Sequence, residues 1–171
     1  MTVSDNVEND GAESCLPAGN RKKEGVDKLY ANLTDGFELP HDAAQFVIMI
    51  FHFSQFFDDV ADGDEIKRED LDMNIFNCFV GMNSNPFFVT YRMQLLPILD
   101  LIIIKWQGSD IAERTGRANE KSFMWRAGFY DLLMSVVSLC HGYKKANSMA
   151  VDVMNFYAET IEEYKEEFNN G

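Results

Sequence analysis

Between Pro40 and Gly63 the chain places apolar side chains at helical spacing on almost every side, and this stretch constrains the fold more than any other. Phe46, Val47, Ile50, Phe53, Phe57 and Val60 recur at three- and four-residue intervals, with Met49, Phe51 and Phe56 filling much of the remainder. A helix so nearly apolar all round belongs inside a bundle, where neighbouring helices cover it. Its polar stripe, His52, Gln55, Asp59 and Asp62, spans about 80° at 100° per residue. Once the helix is buried, that stripe should look into a cleft rather than bulk water.

The rest of the sequence supplies the neighbours. A weak helix is expected over about 24–33, followed by the strong one over about 42–61. A third stretch, about 69–82, carries Leu71, Ile75, Phe79 and Met82 at helical spacing. Asn85-Pro86 reads as an N-cap followed by proline at the first helical position, opening a helix to about Gln107 that bends at Pro97. A polar connection over 108–117 leads to a helix over about 119–140, stopped by Gly142, and the last helix covers about 145–168. No segment alternates as a strand with hairpin turns. The expected fold is all-α: one domain over 21–171, a bundle of five long helices, preceded by a polar arm over 1–20 expected to be disordered.

Charge and cysteines narrow the class of function. With 28 acidic and 15 basic residues the formal net charge is −13, which repels phosphates and disfavours direct nucleic-acid binding. Cys15, Cys78 and Cys140 have no zinc-ligand spacing. Cys78 and Cys140 fall in apolar helical stretches and are expected to pack as small hydrophobes, in keeping with a reducing cytoplasm. The N-terminus has no apolar signal segment, and the runs Phe46–Phe57 and Leu95–Ile104 are short for a bilayer. The expectation is a cytoplasmic protein without a membrane span.

The segment Asp58-Asp59-Val60-Ala61-Asp62-Gly63-Asp64 is the main functional clue. Carboxylates at a helix C-terminus meet the negative end of the dipole, a cost of about 0.3–1 kcal/mol each, and they repel one another. Solvent exposure, basic neighbours or a bound cation must offset this. Mg²⁺ suits one or two carboxylates together with water and substrate phosphates. The metal candidates are Asp58, Asp59, Asp62, Asp64 and, from the fourth long helix, Asp131; Asp59 and Asp131 are the catalytic candidates. His52, Gln55, Arg92, Arg126 and Ser135 are the substrate-binding candidates, while Lys105 reads as an ion-pair partner. The plainer alternative is a solvated helix end and turn, with Asp131 paired to a neighbour.

Asp58–Asp62 has the DDxxD form and resembles the isoprenoid (terpenoid and prenyl-diphosphate) synthases, in which such aspartates bind Mg²⁺ that holds the substrate diphosphate. Asp131 and Ser135 match the first and third ligand positions of that family's second metal motif, although the fourth falls on Leu139. The resemblance implies a reduced synthase-like bundle binding or cleaving a diphosphate-bearing small molecule. The longer pattern over about 40–142, aromatic-DDxxDGD, Asn-Pro-Phe and a later Asp-Leu-Leu helix, also looks like small uncharacterised all-α proteins of tailed bacteriophages. That likeness implies host cytoplasm and supplies no activity. The competing function is a non-catalytic acidic accessory protein that binds a protein partner.

Overall fold

The computed structural model describes residues 26–156 and 160–169, so the arm expected over 1–20 lies outside the described residues. All the regular structure described is helical, with no strand. Residues 26–31 are helical and pass into a π-helical turn, Asn32–Gly36. Then come α1 (His41–Asp62), α2 (Arg68–Phe76), α3 (Pro86–Arg114), α4 (Glu120–Arg126) and α5 (Phe129–His141). The short α6 (Tyr143–Ser148) and α7 (Ala150–Met154) precede α8 (Ile161–Asn169).

All-α is therefore right, but five long helices is not the arrangement. The helix expected over 119–140 is two helices, broken at Ala127–Gly128, where the Gly128 amide turns to the carbonyl of Trp125 at 3.2 Å. Gly128 lies against α3: a Cβ there would sit 3.2 Å from Cβ of Ile102. Close approach explains the glycine at 128. The single last helix expected over 145–168 is α6, α7 and α8. The second helix carries a π-helical turn, Asn77–Gly81, before ending at Ser84, and α3 runs past Gly108 to Arg114.

Several boundaries follow from local chemistry. Gly63 takes φ 77°, the left-handed region that a glycine occupies without a Cβ clash, and ends α1. The Asn85 side chain accepts from the Phe88 amide at 2.9 Å to cap α3, and its amide nitrogen donates to the Asp42 carbonyl at 2.9 Å, tying α3 to the start of α1. Asn119 and Ser122 form a reciprocal capping box at the start of α4.

One apolar core joins α1, α3 and α5. Phe46 is fully buried, with ring centroids 5.5 Å from Phe88 and 5.9 Å from Phe87. Val47, Leu95, Leu132, Leu133, Val136 and Val137 surround it, and Met149 and Val153 close one side. Burial along α1 stops at Ile50; Phe57 and Val60, expected inside, are half-exposed. The last third of α1 carries no buried residue, and of its polar stripe Gln55 and Asp62 are exposed while His52 and Asp59 are partly exposed. Cys78 is likewise exposed rather than packed, whereas Cys140 is partly buried.

The outer side of the molecule is unusually apolar. Although Leu95–Ile104 is short as a sequence run, α3 as a whole is long and apolar enough to cross a membrane by length and composition, and only 22% of its most apolar stretch is buried.

Candidate functional site

The aspartates at the end of α1 do not form one site. Asp58 turns inward and pairs with Arg126 of α4, Oδ2 to Nη2 at 3.1 Å, with the Trp106 indole 3.4 Å from Oδ1. Asp59 is partly exposed, while Asp62 and Asp64 are exposed. The backbone here terminates the helix: the amides of Gly63 and Asp64 both turn to the Asp59 carbonyl, the latter at 2.9 Å. The Asp-Asp-x-x-Asp-Gly-Asp string thus ends α1 through its glycine, and most of its carboxylates are solvated.

Asp131 is elsewhere. Its carboxylate pairs with Lys105 of α3, and Ser135 donates to the Asp131 carbonyl at 2.7 Å, turned onto its own helix. Among the described residues, no three His, Cys, Asp or Glu side chains are grouped to hold a metal ion. Asp59 and Asp131 therefore belong to no common ligand set, and the metal set expected from the sequence is not assembled. His52 is half-buried with its ring 6.0 Å from that of Phe51, and Gln55 and Arg92 are exposed. Of the candidates, Asp58 and Arg126 meet as an ion pair, and Ser135 meets the Asp131 carbonyl within its own helix.

That pair belongs to a polar junction which holds α1, α3, α4 and α8 together. Arg126 also reaches Glu113 of α3, Nη1 to Oε2 at 3.0 Å. The other Glu113 oxygen accepts from Ser109 and from the Tyr164 hydroxyl, each at 2.8 Å. Tyr164 is fully buried and also bonds Ser122 at 2.8 Å, while the Ser109 hydroxyl lies 2.8 Å from the Ser122 carbonyl. Buried polar groups need such complete pairing, since each unmet partner costs about 1–3 kcal/mol.

The electrostatics follow from the packing. Burial pushes the Asp58 carboxyl above its ordinary value, outweighing the opposing pull of Arg126, with Asp62 adding to the rise. Burial also raises the Tyr164 phenol. One guanidinium serves two carboxylates, so the junction carries an excess negative charge. Its hydroxyls are bonded within it, Ser109 and Tyr164 to Glu113 and Ser122 to Tyr164. Beside it a shallow, open depression is lined by Ala61, Trp106, Gln107, Asp110, Ile111 and Arg114. Arg114 there is bonded to Asp110 at 2.7 Å.

Sequence reasoning missed Ser109, Glu113, Ser122 and Tyr164. The Asn119-x-x-Ser122 spacing signals the cap, and Ile161, Tyr164 and Phe168 share a helical stripe in an otherwise charged run. Nothing local signals that Glu113 is the meeting point. Comparison with protein-family models, curated proteins and solved structures finds no match for this chain.

Proposed function

We propose that the protein is a non-catalytic interaction module that binds another protein through the apolar outer face of α2 and its π-helical extension. The observation that carries this reading is the exposure of Phe79 and Phe76, 74% and 59%, on a stretch where Ile75 and Val80 are also exposed. Large exposed apolar patches on soluble domains mark interaction sites, and aromatic anchors dominate such interfaces. The acidic surface around the patch would steer a basic partner. A photo-crosslinking amino acid at position 79, in cells expressing the protein, is expected to give one discrete adduct with a different protein. The same group at exposed Lys121 should not. Only diffuse labelling, or adducts of the chain with itself, would overturn the reading.

Magnesium-dependent handling of a diphosphate is the competing proposal. It requires Asp58 to leave Arg126 and Asp131 to leave Lys105 before a metal set exists. What favours it is the excess negative charge around Asp58 and Asp62. Raised melting temperature with Mg²⁺ and pyrophosphate, lost in Asp59→Ala, would establish it in place of the first.

A further inference from the structure

We propose that α3 pairs antiparallel with α3 of a second copy of this chain, about a two-fold axis near Leu96. The inner side of α3 is accounted for: Leu95 is fully buried, and Ile98, Leu99 and Ile102 pack on the core. On the outer side Val89, Met93, Leu96, Asp100 and Ile103 follow one another at spacings of four, three, four and three residues. From Met93 to Ile103 that spacing keeps a stripe on one helix face, the kind a facing helix packs against; Val89 lies across the kink at Tyr91, where φ −108° and ψ 16° depart from the helix. All five are exposed, Met93 at 77% and Ile103 at 54%. The stripe continues on both sides of Leu96, to Met93 and to Ile103.

Charge selects the occupant. Arg92 and Asp100 are exposed near the middle of this face, each four residues from Leu96. None of the ion pairs among the described residues includes either one. Two antiparallel copies centred on Leu96 bring Arg92 of each within reach of Asp100 of the other, so one symmetry operation makes two ion pairs and meets every charge once. A C2 interface is self-complementary in this way, residue i meeting j and j meeting i. A lipid bilayer, the other apolar environment such a long helix fits, would leave an arginine and an aspartate a few turns apart without that mutual pairing. Counted along α3 the overlap runs over about 21 residues, bent in each copy by the kink at Tyr91.

Sedimentation equilibrium of the full chain tests this. The expected mass is twice the 19.6 kDa of one chain at micromolar concentration. Arg92→Asp and Asp100→Arg should each weaken the dimer at least tenfold, because each places like charges together. The double variant should return to within about threefold of the original, since the reciprocal pairs are restored with opposite sign. Leu96→Cys should also cross-link between copies under oxidation, where the unmodified chain with its exposed Cys78 does not. The proposal is overturned by a monomer at all concentrations, by single variants that dimerise normally, or by a double variant no better than the singles. Partition of the chain into phosphatidylcholine vesicles in preference to dimerisation would overturn it in favour of the bilayer. Circular dichroism melts keep unfolded variants from counting as dissociated ones.

Discussion

The two halves of α1 share one apolar pattern and have opposite fates. The first half gives Phe46 and Val47 wholly to the core, whereas the second leaves Phe57 half-exposed and commits Asp58 to Arg126. Periodicity states which side chains would gain from cover; it does not state whether a neighbour is present to provide it. At the first half α3 and α5 are there with Phe88, Leu132 and Val136. At the second half the neighbour arrives as α4 with a guanidinium. One end is therefore held by area removed from water, the other by a few directional bonds whose partners must all be present.

The sharpest way to break this contrast is to truncate each half. Phe46→Ala should cost about 3–5 kcal/mol, the usual range for emptying a packed aromatic site. Phe57→Ala should stay within about 0.5 kcal/mol, as surface changes do. Urea unfolding of both variants measures the difference. Equal losses would mean that the second half is covered after all, for instance by an assembly.

A smaller effect is expected at the junction. Arg126→Met keeps the aliphatic stem but strands two carboxylates, Asp58 and Glu113, of which the latter is 10% exposed. The expected loss is about 2–3 kcal/mol, below the range for a fully buried pair because Asp58 retains some contact with water. Adding Glu113→Gln should recover part of it, since a neutral amide tolerates burial without a cation. If the double variant is worse than the single, Glu113 is anchored mainly by Tyr164 and Ser109 instead of by Arg126.

How far the sequence foretold these regimes depends on the distance over which each cause acts. The cap at Asn85 and the stop at Gly63 were legible because their bonding lies within a few residues. The bond from Asn85 to the Asp42 carbonyl was not, because it spans 43 residues. The break at Ala127–Gly128 hid inside the otherwise apolar run Phe123–Leu139, and Gly128 there lies against Ile102 of another helix. Arg126, a substrate-binding candidate from the sequence, instead pairs with Asp58 on α1. The pairing of Asp131 with Lys105 matches the plainer alternative weighed from the sequence. The DDxxD string stands directly before the glycine that stops α1, and a motif alone does not distinguish a helix end from metal binding.

Titration sharpens the comparison further. Asp58 is raised above its ordinary value of 3.8, first by burial. Between those two values the folded state holds more proton than the unfolded chain. Stability must then increase as pH falls through the raised value, with the gain complete below the ordinary one. The difference in unfolding free energy between the protein and Asp58→Asn isolates this contribution from general acid denaturation. It should move in favour of the unmodified protein on acidification from about pH 7 to about pH 4. Movement the other way would show that Arg126 outweighs burial.

The smallest effect concerns the exposed carboxylate in the last turn of α1. Asp62 stands at the negative end of the helix dipole, close enough to Asp58 to raise it, and among the described residues it has no ion-pair partner. Asp62→Asn removes an unfavourable charge while keeping the size, and should stabilise the fold by about 0.3–1 kcal/mol. That gain should shrink in high salt, because exposed charges are screened. It should also be the same with and without millimolar Mg²⁺. If a cation held these carboxylates together, the sign would reverse in its presence: the asparagine would remove a ligand, and the variant would melt below the unmodified protein only when magnesium is added. Thermal melts of both proteins in two salt concentrations and with Mg²⁺ thus separate a solvated helix end from a metal clamp at one residue.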